Sequence, residues 1–144
     1  MLLPITLTLA AACALINLWL ASRCVRIRMA DKSALHGDGG NPLLARRMRA
    51  HANFIEYTPM ILILFALIEM ALEASLWLWI GALLYVLARI LHALGMDASG
   101  PSRPRAIGAL LTWLIMAALA GAALYAAYHG TREVPAPPVM AASV

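Results

Sequence analysis

The chain has 144 residues, of which 63% are hydrophobic and only 12% are charged, and its mean hydropathy is +0.81. This composition is far more apolar than that of soluble domains, so it excludes an ordinary soluble protein and predicts one that lies in lipid. The formal net charge is +4. The sequence nevertheless shows no basic face with interleaved aromatic residues, and we therefore expect no nucleic-acid partner.

Four apolar runs follow in chain order, and each is long enough to cross a hydrocarbon core of about 30 Å as a helix. The predicted helices cover about 3–28, 42–72, 75–95 and 104–129. We interpret residues 1–130 as one all-α domain, an integral membrane four-helix bundle, and residues 131–144 as a disordered tail. The first run could instead be a signal peptide, but no positive charge precedes it, and we expect it to span the membrane.

The ends of the predicted helices carry capping signals. Asn41 offers an N-cap for the second helix and Pro42 a first-turn proline, while Gly95 can end the third helix. Glu69 and Glu73 fall at the far end of the second helix, where we expect water or lipid headgroups to solvate both carboxylates.

Positive charges are concentrated in two connecting segments. Residues 23–49 hold seven of the eleven lysines and arginines, and the connection between the third and fourth helices holds Arg103 and Arg105. The positive-inside rule predicts that both segments are cytoplasmic and that both termini lie on the opposite, non-cytoplasmic side of the membrane.

The start of the second helix carries a stripe of polar side chains. Arg46, Arg49, Asn53 and Glu56 are spaced by three, four and three residues, which places them on one helical face. Because Glu56 lies four residues before a continuous apolar run, an unpaired carboxylate there would be costly, and a polar ligand or a partner helix would relieve it. The alternative is that Glu56 only pairs with a basic residue and that the arginines extend to lipid phosphates.

The third helix carries a second polar set inside an apolar run. Tyr85, Arg89, His92 and Met96 recur at helical spacing, and the charge of Arg89 is the hardest to explain without a partner. His92 alone is more typical of an interhelical hydrogen bond than of a ligand or base. The four histidines have no cysteine or carboxylate at useful ligand spacing, so we predict no metal site. Several cations, an amide and one carboxylate instead suit a small zwitterionic ligand with more than one carboxylate.

At these residues the sequence resembles the MAPEG family, the membrane-associated proteins in eicosanoid and glutathione metabolism, and within it bacterial-type members similar to microsomal glutathione transferases. The most specific motif is Arg49-Ala-His-Ala-Asn53-Phe-Ile-Glu56-Tyr57-Thr-Pro59. Further matches are Val25-Arg26-Ile27-Arg28, the Gly-Asp-Gly-Gly-Asn-Pro loop and Arg89-Ile-Leu-His92. The resemblance covers nearly the whole chain.

The resemblance implies a homotrimer in a bacterial inner membrane, with glutathione as co-substrate bound between subunits near the cytoplasmic face. A lipophilic small molecule would be the second substrate, entering from membrane lipid. Either Arg103 or Arg105 would stabilise the glutathione thiolate as the catalytic residue. By motif position, the residues that would contact glutathione are Arg26, Arg49, Asn53, Glu56, Tyr57, Arg89 and His92.

The sequence departs from the family pattern at four alanine or methionine positions. Ala52 replaces an arginine and Met96 a tyrosine of some family enzymes, while Ala106 and Ala109 fall near a serine and a tyrosine used by others. The implied function is a glutathione transferase or peroxidase-like protein that conjugates or reduces lipophilic electrophiles. The alternative is a non-catalytic membrane scaffold or lipid-binding protein with the same fold. A channel has less support, because no second polar set continues across the bilayer.

Overall fold

The computed structural model describes residues 2–30 and 37–130, so the tail that the sequence predicts to be disordered, 131–144, lies outside the described residues. Four helices, each long and apolar enough to cross a membrane, make up the fold: α1 (Pro4–Ala30), α2 (Pro42–Leu72), α3 (Leu76–Gly95) and α4 (Arg103–Gly130). The described ranges contain no strand. The prediction of an all-α, four-helix membrane fold is confirmed, whereas the homotrimer stays a prediction.

The predicted caps are present at the ends of α2 and α3. The side-chain oxygen of Asn41 accepts hydrogen bonds from the backbone amides of Leu43 and Leu44, at 3.0 and 3.1 Å, and Pro42 occupies the first helical position. These contacts satisfy amides that the helix itself leaves without partners. α3 ends at Gly95, as the sequence predicts.

Apolar side chains fill the centre of the bundle and also cover much of its outside. Buried residues of α1, α2 and α3, among them Leu9, Phe65 and Leu78, pack into one core. Large apolar side chains are exposed on the outer faces of all four helices. A water-soluble bundle would be polar there, so these outer faces suit contact with lipid tails or with another apolar surface.

The first half of α4 packs unusually close to the last turns of α3, and two glycines permit this approach. A Cβ atom on Gly108 would lie 2.5 Å from the Ala88 carbonyl oxygen and 2.7 Å from the His92 amide nitrogen. A Cβ atom on Gly95 would meet the backbone of Arg105. The two glycines therefore seat the start of α4, with Arg105, directly against the end of α3.

Glu69 corrects one expectation from the sequence, because its carboxylate is buried rather than solvated. It is 2% exposed and accepts hydrogen bonds from the amides of Ile5 (2.9 Å) and Thr6 (2.8 Å) and from the Thr6 hydroxyl (2.7 Å). Amides in the first turn of a helix have no partner within the helix, and a negative charge there is favourable. Glu69 thus caps α1 from α2, while Glu73 is exposed as expected.

Candidate functional site

The last turns of α1, the first turns of α2 and the α3–α4 turn (96–102) meet at one end of the bundle, here termed the basic end. Between the start of α2 and the start of α4 this end contains an open groove of about 500 Å³. Arg46 lines it from α2 and Arg105 from α4. The remaining lining residues are Ala98, Ser99, Gly100, Pro101, Ser102, Ala106 and Ala109.

The two guanidinium groups at the groove have no acidic partner among the residues that the structure describes. Within residues 2–30 and 37–130, neither Arg46 nor Arg105 forms an ion pair, and the Nε atom of Arg46 is buried without a hydrogen-bond acceptor. Arginine presents a planar set of donors that matches a carboxylate. The groove therefore offers two cations to an anionic ligand.

Further along α2, outside the residues that line the groove, the polar stripe continues with an exposed ion pair. Arg49 Nη1 lies 3.5 Å from Glu56 Oε1, and the two side chains are 67% and 48% exposed. Exposed pairs contribute only about 0–1 kcal/mol, so a ligand with its own ammonium and carboxylate could separate these two side chains at small cost. This contact is also consistent with the alternative that Glu56 only pairs with a basic residue.

Arg89 and Asn53 join the α2 stripe to the interior of the bundle. Arg89 is 2% exposed, and its Nη2 atom donates to Asn53 Oδ1 at 2.8 Å while Nη1 donates to Thr112 Oγ1 of α4 at 3.3 Å. The guanidinium also lies 5.7 Å from the centroid of the Phe54 ring. The buried charge is therefore held mainly by neutral oxygens, and it fixes the orientation of Asn53.

His92 and Tyr57 are both engaged with α4. His92 is 6% exposed, and its Nδ1 atom donates to the carbonyl oxygen of Arg105 at 3.3 Å, which assigns the proton to Nδ1. The Tyr57 hydroxyl accepts from Trp113 Nε1 at 3.1 Å. Both contacts hold α4 in place beside the groove.

Arg26 and Arg103 lie apart from this arrangement. Both side chains are exposed, and Arg26 donates a hydrogen bond to the Ser22 hydroxyl of its own helix, at 3.5 Å. Arg103 does not line the groove, whereas Arg105 does. The sequence predicts either of these two α4 arginines as the catalytic residue, and of the two only Arg105 lines the groove.

Comparison with known protein families identifies the chain. The sequence model of the MAPEG family matches residues 6–125, which is most of the chain. The chain belongs to the MAPEG family. Membership supports a membrane protein of eicosanoid and glutathione metabolism. Among individual curated proteins, none matches the sequence.

One polar cluster of this MAPEG protein was missed from the sequence. Asp97, in the α3–α4 turn, forms ion pairs with Arg23 Nη2 (2.6 Å) and with Arg47, which contacts both carboxylate oxygens at 3.2 Å. Burial alone would raise the pKa of Asp97, but the hydrogen bonds and charges of Arg47 and Arg23 outweigh it and lower the pKa. A sequence signal did exist, because Asp97 is the only acidic residue between Glu73 and Glu133.

Proposed function

We propose that this MAPEG protein is a membrane glutathione transferase that joins glutathione to lipophilic electrophiles at the basic end of the bundle. The observation that carries the proposal is the groove between α2 and α4, which is lined by two arginines that have no acidic partner within residues 2–30 and 37–130. Glutathione has two carboxylates, one ammonium and one thiol, and these groups complement the side chains at this end.

The ligand would be held mainly by charge pairing. Its carboxylates would bind the guanidinium groups of Arg46 and Arg49, and its ammonium would bind Glu56 after the exposed Arg49–Glu56 pair opens. Asn53 is held by Arg89, so its amide nitrogen can donate to the peptide part of the ligand without losing rotational freedom on binding. Arg26 is exposed on α1, where it would reach the site of a neighbouring subunit in a trimer.

The chemistry would depend on Arg105, because a nearby cation stabilises a thiolate and lowers the pKa of the thiol. The thiol proton passes to water, the thiolate sulfur attacks an electrophilic carbon, and a carbon–sulfur bond forms. The leaving group departs with the electron pair of its bond to that carbon. The electrophile would reach the sulfur laterally from lipid, since the outer faces of the helices are apolar.

A second function, a non-catalytic glutathione-binding or scaffold protein, is favoured by the α4 wall of the groove. Ala106 and Ala109 form this wall and carry no hydroxyl that could donate to a thiolate. Met96 is 6% exposed and has no proton to donate. Under this alternative the two arginines bind glutathione, and no conjugate forms.

Titration calorimetry of the detergent-purified protein with glutathione tests the proposal, followed by a conjugation assay with chlorodinitrobenzene. We expect saturable binding and conjugation that Arg105→Ala reduces at least about tenfold, the effect of removing one electrostatic contact to a reacting group. Arg103→Ala is the matched control, because it removes the same charge from the same turn but outside the groove. Binding without conjugation would favour the non-catalytic glutathione-binding protein, and absence of binding would refute both this protein and the transferase, leaving the scaffold.

A further inference from the structure

We propose that Asp97 is a positioning residue: by clamping the α3–α4 turn to α1 and α2, it holds Arg105 across the groove from Arg46. The part of this inference that concerns glutathione rests on the proposed function, whereas the clamp itself does not. Asp97 does not line the groove, so its effect is exerted through the turn that follows it.

The clamp joins α1, α2 and the α3–α4 turn through one carboxylate. The Asp97 carboxylate bridges Arg23 of α1 and Arg47 of α2. Arg23 is 5% exposed and also donates to the carbonyl oxygen of Ala93, and Arg47 Nη1 donates to the carbonyl oxygen of Arg23. Each partner of Asp97 is thus fixed by a second contact, so the carboxylate is held from two directions.

The turn transmits this position to Arg105. The residues directly after Asp97, 98–102, form one side of the groove. At the end of the turn, the Ser102 hydroxyl donates to the carbonyl oxygen of Gly95 at 2.8 Å and accepts from the Arg105 amide at 3.3 Å. Gly95 has no side chain, and the backbone of Arg105 therefore packs directly against it. Because of this contact, a shift of the turn has to move Arg105 as well.

The opposite side of the groove is tied to the same carboxylate. Arg46 and Arg47 are consecutive residues of α2, and their side chains leave the helix about 100° apart. Arg47 binds Asp97 while Arg46 lines the groove, so one carboxylate determines the spacing between the first turns of α2 and the α3–α4 turn. Removing this carboxylate also leaves Arg23 and Arg47 facing each other without a counter-charge, which favours separation of the segments.

Hydrogen exchange measured by mass spectrometry, together with glutathione calorimetry, tests the clamp in the full-length detergent-purified protein. Asp97→Asn keeps the shape of the side chain and removes its charge, and Asp97→Glu keeps the charge on a longer side chain. Glu73→Gln is the matched control, because it changes an exposed acid to an amide at the opposite end of the bundle.

We expect Asp97→Asn to accelerate amide exchange in residues 98–106 while the amides of 114–125 stay unchanged, and to weaken glutathione binding by about tenfold. Asp97→Glu should keep most of the slow amide exchange in 98–106 and most of the affinity for glutathione. Glu73→Gln should change neither the exchange nor the affinity. The pH dependence of the conjugation rate should shift to higher pH in Asp97→Asn, because a displaced Arg105 stabilises the thiolate less.

Two results would overturn the inference: unchanged exchange at 98–106 in Asp97→Asn, or equal acceleration along all four helices, which would indicate a general loss of stability. Glutathione binding that is unchanged despite local acceleration would overturn the link to the groove. If the unsubstituted protein binds no glutathione, the proposed function fails, and the exchange data alone decide whether Asp97 holds the turn.

Discussion

Arg89 Nη2 donates a 2.8 Å hydrogen bond to Asn53 Oδ1, and no carboxylate within residues 2–30 and 37–130 forms an ion pair with this buried guanidinium. An ionic partner is the usual way to keep a charge inside a membrane protein. Here an amide oxygen of α2 and the Thr112 hydroxyl of α4 take that place. Asn53 therefore connects the charge inside the bundle to the polar stripe beside the groove.

Replacing Asn53 with alanine should destabilise the protein, because Arg89 Nη2 would lose its acceptor in a buried position. We expect a loss of about 1–3 kcal/mol in the free energy of unfolding, measured by titrating the detergent-purified protein with SDS. Asn53→Asp is the control, since it keeps an oxygen at the same place, and it should retain most of the stability. Equal losses in both variants would show that the hydrogen bond is not the cause.

Replacing Glu69 with alanine should also destabilise the bundle, by about 1.5–3 kcal/mol, because hydrogen bonds to a charged group are among the stronger ones. The amides of Ile5 and Thr6 would lose their shared acceptor at the start of α1. The stability of Glu69→Gln should lie between that of the unsubstituted protein and that of Glu69→Ala. Glutamine keeps one acceptor oxygen, but it adds an amide donor that faces the amide donors of α1. Glu73→Gln, which is exposed, should stay within about 0.5 kcal/mol of the unsubstituted protein.

Gly108→Ala should force α3 and α4 apart, because the new Cβ atom meets backbone atoms of Ala88 and His92, which cannot rotate away. We expect a loss of about 1–3 kcal/mol, as in other overpacked sites. Gly121→Ala on the same helix is the matched control: nothing lies within 4 Å of its Cβ position, so it should be neutral or slightly stabilising. SDS titration of both variants measures the difference, and a tolerated Gly108→Ala would contradict the close packing.

The four helices could be predicted from the sequence because their signal is local. Apolar runs of spanning length and the Asn41-Pro42 cap depend only on neighbouring residues, and the structure contains both. The burial of Glu69 could not be predicted in the same way. Its partners Ile5 and Thr6 lie more than sixty positions away in the chain, and only the packing of α1 on α2 brings them together.

The candidate site shows the same division. The spacing of Arg49, Asn53 and Glu56 predicts a shared helical face, and the structure pairs two of the three on it. Which of Arg103 and Arg105 would face a ligand depends on the rotation of α4 about its axis, which close packing at Gly108 determines. The ion pairs of Asp97 could not be predicted from neighbouring residues, because its two arginine partners come from α1 and α2.

Acid should loosen the basic end first through Asp97. Its pKa is lowered in the folded protein, so the carboxylate is stabilising at any pH above its unfolded pKa of about 3.9, and this contribution is lost as the pH falls through the lower, folded value. We therefore expect the contribution of Asp97 to the free energy of unfolding in detergent to stay constant from about pH 7 to 5 and to decrease below about pH 4. Thermal unfolding of Asp97→Asn should lack this part of the decline, because an amide does not titrate. If thermal stability at low pH declines equally in Asp97→Asn and in the unsubstituted protein, the acid sensitivity comes from other carboxylates. The carboxylate of Glu69, which caps α1, is then the first to test.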